Sequence, residues 1–274
     1  LKNLDKAFSE MPIETITVDA ILQWQAKRRG EAAVKSIKLE RDILSQILDM
    51  AVEDGAIPSN PINSKQLKKT LRINRSGLPL ALTYDEVSAL LKAIEKQQGL
   101  LGRQIYLAAL VALFGGLRRG ELCYLTHLDI VGNNLIIQSK EVSAEESNDP
   151  DVRKGGIWLP KGNRPRVVDL PQKIADKILA LKKNTGRFIF GGKHVYHKDY
   201  ITGEFEKLLH PINPKLSLHC LRHTFVTWRI EHGISGRGDN LVRVQQAAGH
   251  ADIQTTMRYA HIQLSPDKDI LGFF

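Results

Sequence analysis

The sequence has few cysteines and no long apolar run, and these two absences exclude two classes of protein. The longest apolar run, residues 105–114, is shorter than the roughly 18 residues of a membrane span, so a membrane protein is excluded and a buried helix is predicted. Cys123 and Cys220 lie far apart and form no CxxC pair, which excludes a disulfide framework and fits a reducing cytoplasm. With 42% hydrophobic and 25% charged residues, the composition is that of a soluble globular protein.

Motifs for metal binding and secretion are missing as well. His219 and His223 have a spacing found in zinc sites, but no HExxH motif and no third ligand at a convincing spacing accompany them. We therefore expect no bound metal. The chain begins at Leu1 without a methionine or a signal-peptide core, which is consistent with a piece of a longer protein.

The sequence does contain a marked excess of positive charge. Its formal net charge is +9 and its isoelectric point is near 9.5. Lysine and arginine side chains that neutralise phosphates release condensed counterions, so basic proteins gain affinity for polyanions. The charge favours a nucleic acid partner without establishing one.

The first part of the sequence predicts a helical domain followed by a basic linker. One helix is predicted over residues 17–30, which begin with a capping threonine, and a longer one over 31–54 from near-helical apolar spacing. Residues 57–77 contain two prolines, lack periodicity and are predicted to be a linker. Its basic residues either contact phosphates or are simply solvated, and both possibilities stay open: Lys65, Lys68, Lys69, Arg72 and Arg75.

A second domain is predicted to begin near the capping box of residues 83–86. Residues 128–138 and 166–170 are predicted to form a small antiparallel sheet, and the polar segment 139–156 between them an insertion or mobile loop. From residue 171 onward the pattern is again largely helical. We therefore predict a mainly α fold with a small antiparallel β-sheet (α+β), divided into domains of residues 1–76 and 77–274.

The segment SLHCLRHTF, residues 217–225, places polar groups in an apolar stretch. Four apolar side chains at helical spacing predict a buried stripe: Leu218, Leu221, Phe225 and Trp228. His219, Arg222 and His223 then share the neighbouring face, where a histidine and an arginine three residues later can bind one anion. The alternative is a buried arginine paired with a carboxylate and a histidine bonded to a backbone carbonyl.

Three further segments contain candidate polar residues. In GGLRRGELCYL, Arg118 follows a glycine break and precedes a helix, and Glu121 either binds an arginine or only favours the first helical turn. Lys161 lies in the turn of LPKGNRPRVV, ahead of a strand. His250 and Tyr259 lie in AAGHADIQTTMRYAHI. Taken singly, each of these residues is typical of an ordinary surface or core position.

Taken together, these segments resemble the tyrosine site-specific recombinases, the integrase family. GLRRGEL, KGNRPRVV, HCLRH, AGH and RYAHI follow one another in a single order. The resemblance covers a catalytic domain from about residue 80 to residue 274, and residues 1–76 resemble the family's helical core-binding domain. By this resemblance the catalytic residues are Arg118, Lys161, His219, Arg222, His250 and Tyr259, with Glu121 and His223 in supporting roles.

The resemblance implies an enzyme that cuts and rejoins duplex DNA through a 3'-phosphotyrosine on Tyr259, for integration or excision of a mobile element. Arginine and imidazole groups stabilise the phosphoryl charge without a metal, so no cofactor is expected. Lys161 is the candidate general acid, and Lys140 is its rival because a long segment separates the preceding strand from Lys161. For His223 we favour a structural hydrogen bond over catalysis.

The resemblance also implies partners and a location. The expected partner is double-stranded DNA, on which a chain that is monomeric when free forms a homotetramer, with a DNA-bending protein as an optional accessory. The expected location is the nucleoid in the cytoplasm of a bacterium, and the expected origin is bacterial or phage. Arg164 joins the basic residues of the linker as a candidate DNA contact. The apolar tail, residues 265–274, is expected to dock on a neighbouring protomer. Two alternatives stay open: a type IB topoisomerase-like relaxing enzyme and a non-catalytic DNA-binding regulator on the same fold.

Overall fold

The computed structural model describes residues 2–71, 78–147, 149–181, 186–234, 237–262 and 268–273. The chain divides into two compact units, an N-terminal unit (Leu1–Gly77) and a C-terminal unit (Leu78–Phe274). The predicted domain boundary at residue 76 lies outside the described residues. No helix in the described part of the chain is long and apolar enough to cross a membrane.

The N-terminal unit is helical. Its α-helices are α1 (Lys2–Phe8), α2 (Val18–Arg29), α3 (Val34–Glu53) and α4 (Lys65–Lys68). The hydroxyl of Thr17 caps α2 by accepting a hydrogen bond from the amide of Ala20 at 3.3 Å. One face of α3 lies in the core, as its apolar spacing requires. The helices predicted over residues 17–30 and 31–54 are confirmed.

The predicted linker is in part a packed segment of this unit, and that prediction is corrected. Its apolar residues are buried in the core of the N-terminal unit: Ile57, Ile62, Leu67 and Leu71. These residues have no regular period, so the sequence pattern did not reveal their burial. Lys65 and Lys69 are exposed, whereas Arg72 and Arg75 lie outside the described residues. Lys68 is the last residue of α4.

The C-terminal unit is mainly helical. Its α-helices are α5 (Tyr84–Glu95), α6 (Gly99–Gly115), α7 (Arg119–Cys123), α8 (Pro150–Gly155), α9 (Gln172–Leu181), α10 (Lys198–Leu209), α11 (Leu218–Glu231), α12 (Leu241–Ala248) and α13 (Ile253–Met257). The predicted capping box of Thr83 and Glu86 starts α5. The buried α6 packs against α11, where the rings of Phe114 and Trp228 meet edge to face with centroids 5.1 Å apart.

The described residues of this unit also form two small antiparallel sheets. One contains β1 (Ile130–Val131), β2 (Asn134–Ile137) and β5 (Arg166–Asp169), with β2 in the middle, and the other pairs β3 (Lys140–Glu141) with β4 (Ile157–Trp158). Leu135 lies opposite Val168 in the first sheet, and both are fully buried. The predicted sheet and the mainly α fold class are confirmed.

The described residues of the segment 139–156, which leave out residue 148, include regular structure, so the alternative of a mobile loop is wrong and that of an insertion stays a prediction. The segment contributes β3 and α8, and it buries Val142 and Val152 in the core. The carboxylate of Glu146 pairs with Arg187 at 2.6 Å, outside the segment. Its polar composition concealed this packing because the partners that hold the segment come from elsewhere in the chain.

The described part of the apolar tail, residues 268–273, packs on its own chain. Ile270 is buried, and the ring of Phe273 lies 4.4 Å from the ring of Tyr84 on α5, centroid to centroid. The indole nitrogen of Trp228 donates a hydrogen bond to Asp269 at 2.8 Å. In this single chain α5 and α11 supply its apolar and polar partners, and docking on a neighbouring protomer in the assembled complex stays a prediction.

Candidate active site

Helix α11 presents the polar face that its spacing predicts. Leu221, Phe225 and Trp228 are fully buried, while His219 is exposed and His223 half-buried on the other side. Arg222 is buried as well, with 3% of its surface exposed. Its guanidinium donates to the backbone carbonyls of Gly116 and Ala248, and no carboxylate among the described residues accepts from it. The alternative in which this buried arginine is paired with a carboxylate is therefore excluded.

The C-terminal end of α12 brings three arginines together. The last carbonyls of a helix lack intrahelical partners and carry the negative end of its dipole. Here three consecutive carbonyls each accept from a different arginine: Ala247 from Arg166 at 2.9 Å, Ala248 from Arg222, and Gly249 from Arg118 at 2.7 Å. Because the three arginines come from β5, α11 and the residue before α7, one helix end fixes groups that are distant in sequence.

Glu121 supplies the negative charge between these arginines. Its carboxylate pairs with Arg166 at 2.6 Å and with Arg118 at 3.0 Å, and it also accepts from the amide of Arg118 at 2.8 Å. Burial opposes its ionisation, yet the hydrogen bonds and charges of the two arginines lower the pKa of Glu121 to about 2. Both roles considered for Glu121, arginine binding and first-turn capping, are realised.

The arginines still exceed the negative charge around them. Burial, and then repulsion from Arg118, lowers the pKa of Arg222 to about 9, so the group remains charged at neutral pH. An open cleft of about 570 Å³ lies beside it, with five arginine or lysine residues and a single acid among its described lining. The cleft is therefore suited to an anion.

Tyr259 lies in the same cleft, just after α13, and only 4% of its surface is exposed. Its hydroxyl is hydrogen-bonded to Nδ1 of His223. Burial raises the pKa of Tyr259, and the charges of Arg222 and Arg258 oppose this effect. The ring of His250 is stacked 6.2 Å away, with its Nδ1 held by the hydroxyl of Thr256 at 2.8 Å. The phenol is thus protonated and fixed.

The two candidate lysines lie in different surroundings. Lys161 is in an exposed turn and lines the cleft. Lys140 is on β3, where it pairs with the buried Asp129 at 3.1 Å and lies over the ring of Trp158 at 5.2 Å. Of these two lysines, Lys161 is therefore the one in the described lining of the cleft.

The structure brings most of the predicted site residues into one place. The residues that share the cleft lining are Arg118, Glu121, Lys161, His219, Arg222, His223, His250 and Tyr259. Arg164 lies in the exposed turn after Lys161, and it is not among the described lining of the cleft. No group of three or more His, Cys, Asp or Glu residues in the described part of the chain is placed to hold a metal ion.

Sequence reasoning missed three residues of this site. Arg166 shares the inward face of β5 with the buried Val168, whereas Val167 between them is 58% exposed. An arginine on the inward face of a strand is the signal that could have identified it. Thr256 precedes Tyr259 by one helical turn, and Arg258 lines the cleft beside it. Nothing in the local pattern distinguishes these two from surface residues.

Comparisons of the sequence with known proteins identify a family and several relatives. Residues 81–265 match the Phage integrase family. A tyrosine recombinase of Pseudothermotoga lettingae is 27% identical over 263 residues, which cover 94% of this chain and 79% of that protein. The tyrosine recombinase XerC of Yersinia pestis is 30% identical over 243 residues, covering 87% and 72%.

Solved structures share the fold. The Tn1549 transposon integrase in complex with transposon right end DNA superposes with a TM-score of 0.73 at 20% identity, covering 97% of this chain and 89% of that one. A lambda integrase dimer bound to a COC' core site gives a TM-score of 0.70 at 19% identity, covering 94% and 84%. None of these similarities favours the two alternatives, a type IB topoisomerase-like relaxing enzyme and a non-catalytic DNA-binding regulator. The chain belongs to the phage integrase family and is a tyrosine recombinase, an enzyme that cleaves and rejoins DNA in site-specific recombination.

Proposed function

We propose that Tyr259 is the nucleophile and that it attacks a phosphodiester of duplex DNA to form a 3'-phosphotyrosine. The supporting observation is the position of its phenol in a cleft whose described lining has five cationic residues and one acid. A phosphate that enters this cleft meets more cationic than acidic side chains in its described lining. The attacking oxygen and the charged groups then act on the same phosphorus.

Arg118 and Arg222 stabilise the charge that develops on the phosphoryl oxygens during attack. Both guanidiniums are already fixed by the C-terminal carbonyls of α12, so little reorganisation is needed when the charge appears. His219 and His250 add imidazole donors at the edges of the cleft. The proposed chemistry uses no metal ion and no cofactor.

Lys161 protonates the departing 5' oxygen. It is the lysine that lines the cleft, and its turn precedes β5, which carries Arg166. The phosphotyrosine bond conserves the energy of the cleaved phosphodiester, so a 5' hydroxyl from another strand can reverse the step. Strand exchange then requires no ATP.

The assembly that performs the reaction is a homotetramer on duplex DNA, formed from a chain that is monomeric when free. One relative in fold is a lambda integrase tetramer bound to a Holliday junction, with a TM-score of 0.65. The enzyme integrates or excises a mobile element of bacterial or phage origin at the nucleoid in the cytoplasm, with an accessory DNA-bending protein as an optional partner. The Tn1549 transposon integrase, which is similar in fold and was solved in complex with transposon right end DNA, supports this choice.

The test is covalent capture on DNA. A library of nicked suicide duplexes, in which the cleaved 5' strand diffuses away, is incubated with the wild-type enzyme and the linked ends are sequenced. Tyr259→Phe should form no adduct, because the phenylalanine ring has no nucleophilic oxygen, while its affinity for duplex DNA stays close to that of wild type. An adduct formed by Tyr259→Phe at the wild-type rate contradicts the assignment.

A further inference from the structure

A hydrogen bond joins the phenol of Tyr259 to His223 on α11, which has no role in the cleavage reaction proposed above. Nδ1 of His223 contacts the hydroxyl of Tyr259, and the two ring centroids are 5.5 Å apart. His219, one helical turn earlier, is exposed, and its ring packs edge-on against that of His223 at 4.5 Å. Of these two histidines, His223 is therefore the one in contact with the reacting oxygen.

The surroundings of His223 determine the direction of this bond. Burial lowers the pKa of His223 to about 3, and the groups that face it from α11 and from the segment after α12 act in the same direction: His219, Arg222, Arg258 and His250. The imidazole is therefore neutral near pH 7 and has one nitrogen that accepts. Since burial keeps the phenol protonated, Tyr259 donates its hydroxyl hydrogen to Nδ1.

We propose that His223 is the general base of the recombinase, and that its Nδ1 takes the phenolic proton as the oxygen of Tyr259 attacks the phosphorus. This inference rests on the proposed role of Tyr259 as nucleophile. It replaces the purely structural hydrogen bond that we expected from the sequence.

The step balances in protons and charge. The bond between the Tyr259 oxygen and phosphorus forms, the bond from phosphorus to the 5' oxygen breaks, the phenolic proton moves to His223, and Lys161 gives a proton to the departing oxygen. In the reverse step a 5' hydroxyl returns its proton to Lys161 as it attacks. The imidazolium of His223 then returns its proton to the departing phenol.

The cationic cleft couples the strength of this base to the presence of DNA. In the free enzyme the arginines oppose a charge on His223, which leaves the phenol protonated and unreactive. A phosphodiester brings a negative charge into the same cleft, and this charge grows as the phenol attacks. Protonation of His223 therefore becomes more favourable as the transition state forms.

The experiment uses a variant that preserves the hydrogen bond and removes the base. In His223→Asn the amide oxygen can occupy the position of Nδ1 and accept from the phenol, but it cannot hold a proton. On a duplex captured by the wild-type enzyme, we expect adduct formation to slow by about 100-fold or more, the usual contribution of general base catalysis. The difference in rate between wild type and His223→Asn should narrow as the pH rises, because the phenol then ionises without a general base.

A modified substrate separates this base from the general acid. When the departing 5' oxygen is replaced by sulfur, which leaves without protonation, Lys161→Ala should regain its rate and His223→Asn should not. Lys140→Ala should show no such rescue. The matched control is His210→Asn, an exposed histidine at the end of α10, which should react like wild type.

Several results overturn the inference. The first is that His223→Asn forms the adduct at a rate within about threefold of wild type. The second is that the reduction in this rate does not change with pH. The third is that the sulfur substrate restores the rate of His223→Asn as fully as that of Lys161→Ala. If thermal melting shows that His223→Asn is unfolded, His223→Gln is assayed under the same criteria. If the wild-type enzyme itself forms no adduct, the role of Tyr259 fails first, so the two failures are distinguishable.

Discussion

At the scale of single residues, Glu121 determines whether the arginines can share one site. It is almost fully buried between Arg118 and Arg166, and these two arginines and Arg222 converge on the end of α12. Buried like charges repel strongly unless an opposite charge lies among them. The carboxylate is therefore as important to the site as the arginines that it holds together.

Replacing this carboxylate should destabilise the C-terminal unit in a pH-dependent way. The pKa of Glu121 falls from 4.5 to about 2 on folding, which corresponds to about 3 kcal/mol of stability at neutral pH. Because the folded pKa is depressed, this stability is present above about pH 4.5 and is lost as the pH falls through 2. Urea unfolding should therefore show that Glu121→Gln has a lower free energy of unfolding than wild type near neutral pH, and that this difference disappears in acid.

The matched control is Glu146→Gln. Glu146 also pairs with an arginine, Arg187, whose side chain is 45% exposed. Exposed pairs contribute about 0.5 kcal/mol, so this variant should unfold almost like wild type at every pH. If Glu121→Gln loses as little free energy of unfolding as Glu146→Gln, Glu121 does not stabilise the arginines as proposed.

At the scale of helices and strands, the ends of two helices hold the arginine of α11. Arg222 donates to Ala248 at the end of α12 and to Gly116 at the end of α6. Gly116 has φ +62°, and a Cβ there would lie 2.2 Å from the ring of Phe225. The backbone of α6 can end at this point and meet Arg222 only without a side chain.

Gly116→Ala should therefore lower the free energy of unfolding by more than backbone strain alone would. We expect a loss of about 3 kcal/mol in the free energy of unfolding, from left-handed strain together with overpacking against Phe225. Gly132→Ala is the control: its φ is +59°, but a Cβ there meets nothing within 4 Å. It should lose only about 1 kcal/mol. Equal losses in thermal or urea unfolding would show that packing against Phe225 is unimportant.

At the scale of the whole molecule, the excess of positive charge predicts salt-sensitive binding to DNA. The net charge is +9, and Lys65 and Lys69 of the N-terminal unit are exposed. If both lysines contact phosphates, their loss releases fewer counterions when DNA binds. The effect should be the same for every DNA sequence, since phosphate contacts do not distinguish bases.

The double variant Lys65→Gln and Lys69→Gln tests these contacts. On a random-sequence duplex, we expect the slope of log affinity against log salt to become less steep by about 2. The control is Lys2→Gln and Lys6→Gln, which removes the same charge from exposed positions on α1. Identical slopes for the two double variants would mean that Lys65 and Lys69 are simply solvated.

The sequence by itself determined the helices, the caps and the order of the motifs. The helical spacing on α11, the capping box of Thr83 and the N-cap of α2 are local features, since each depends on residues within a few positions of one another. Arg118, Arg222 and Tyr259 were identifiable for a related reason, because the motifs that contain them occur in one characteristic order.

Only the tertiary structure decided which of these residues meet and what holds them. Arg118 and Gly249 are 131 positions apart, and no local period relates them. The position of Arg166, the burial of Val142 and Val152, the contact of Phe273 with α5 and the contact between His223 and Tyr259 all depend on such distant partners. Packing and charge compensation act between elements, so they are settled when the helices come together and not by the spacing within any one of them.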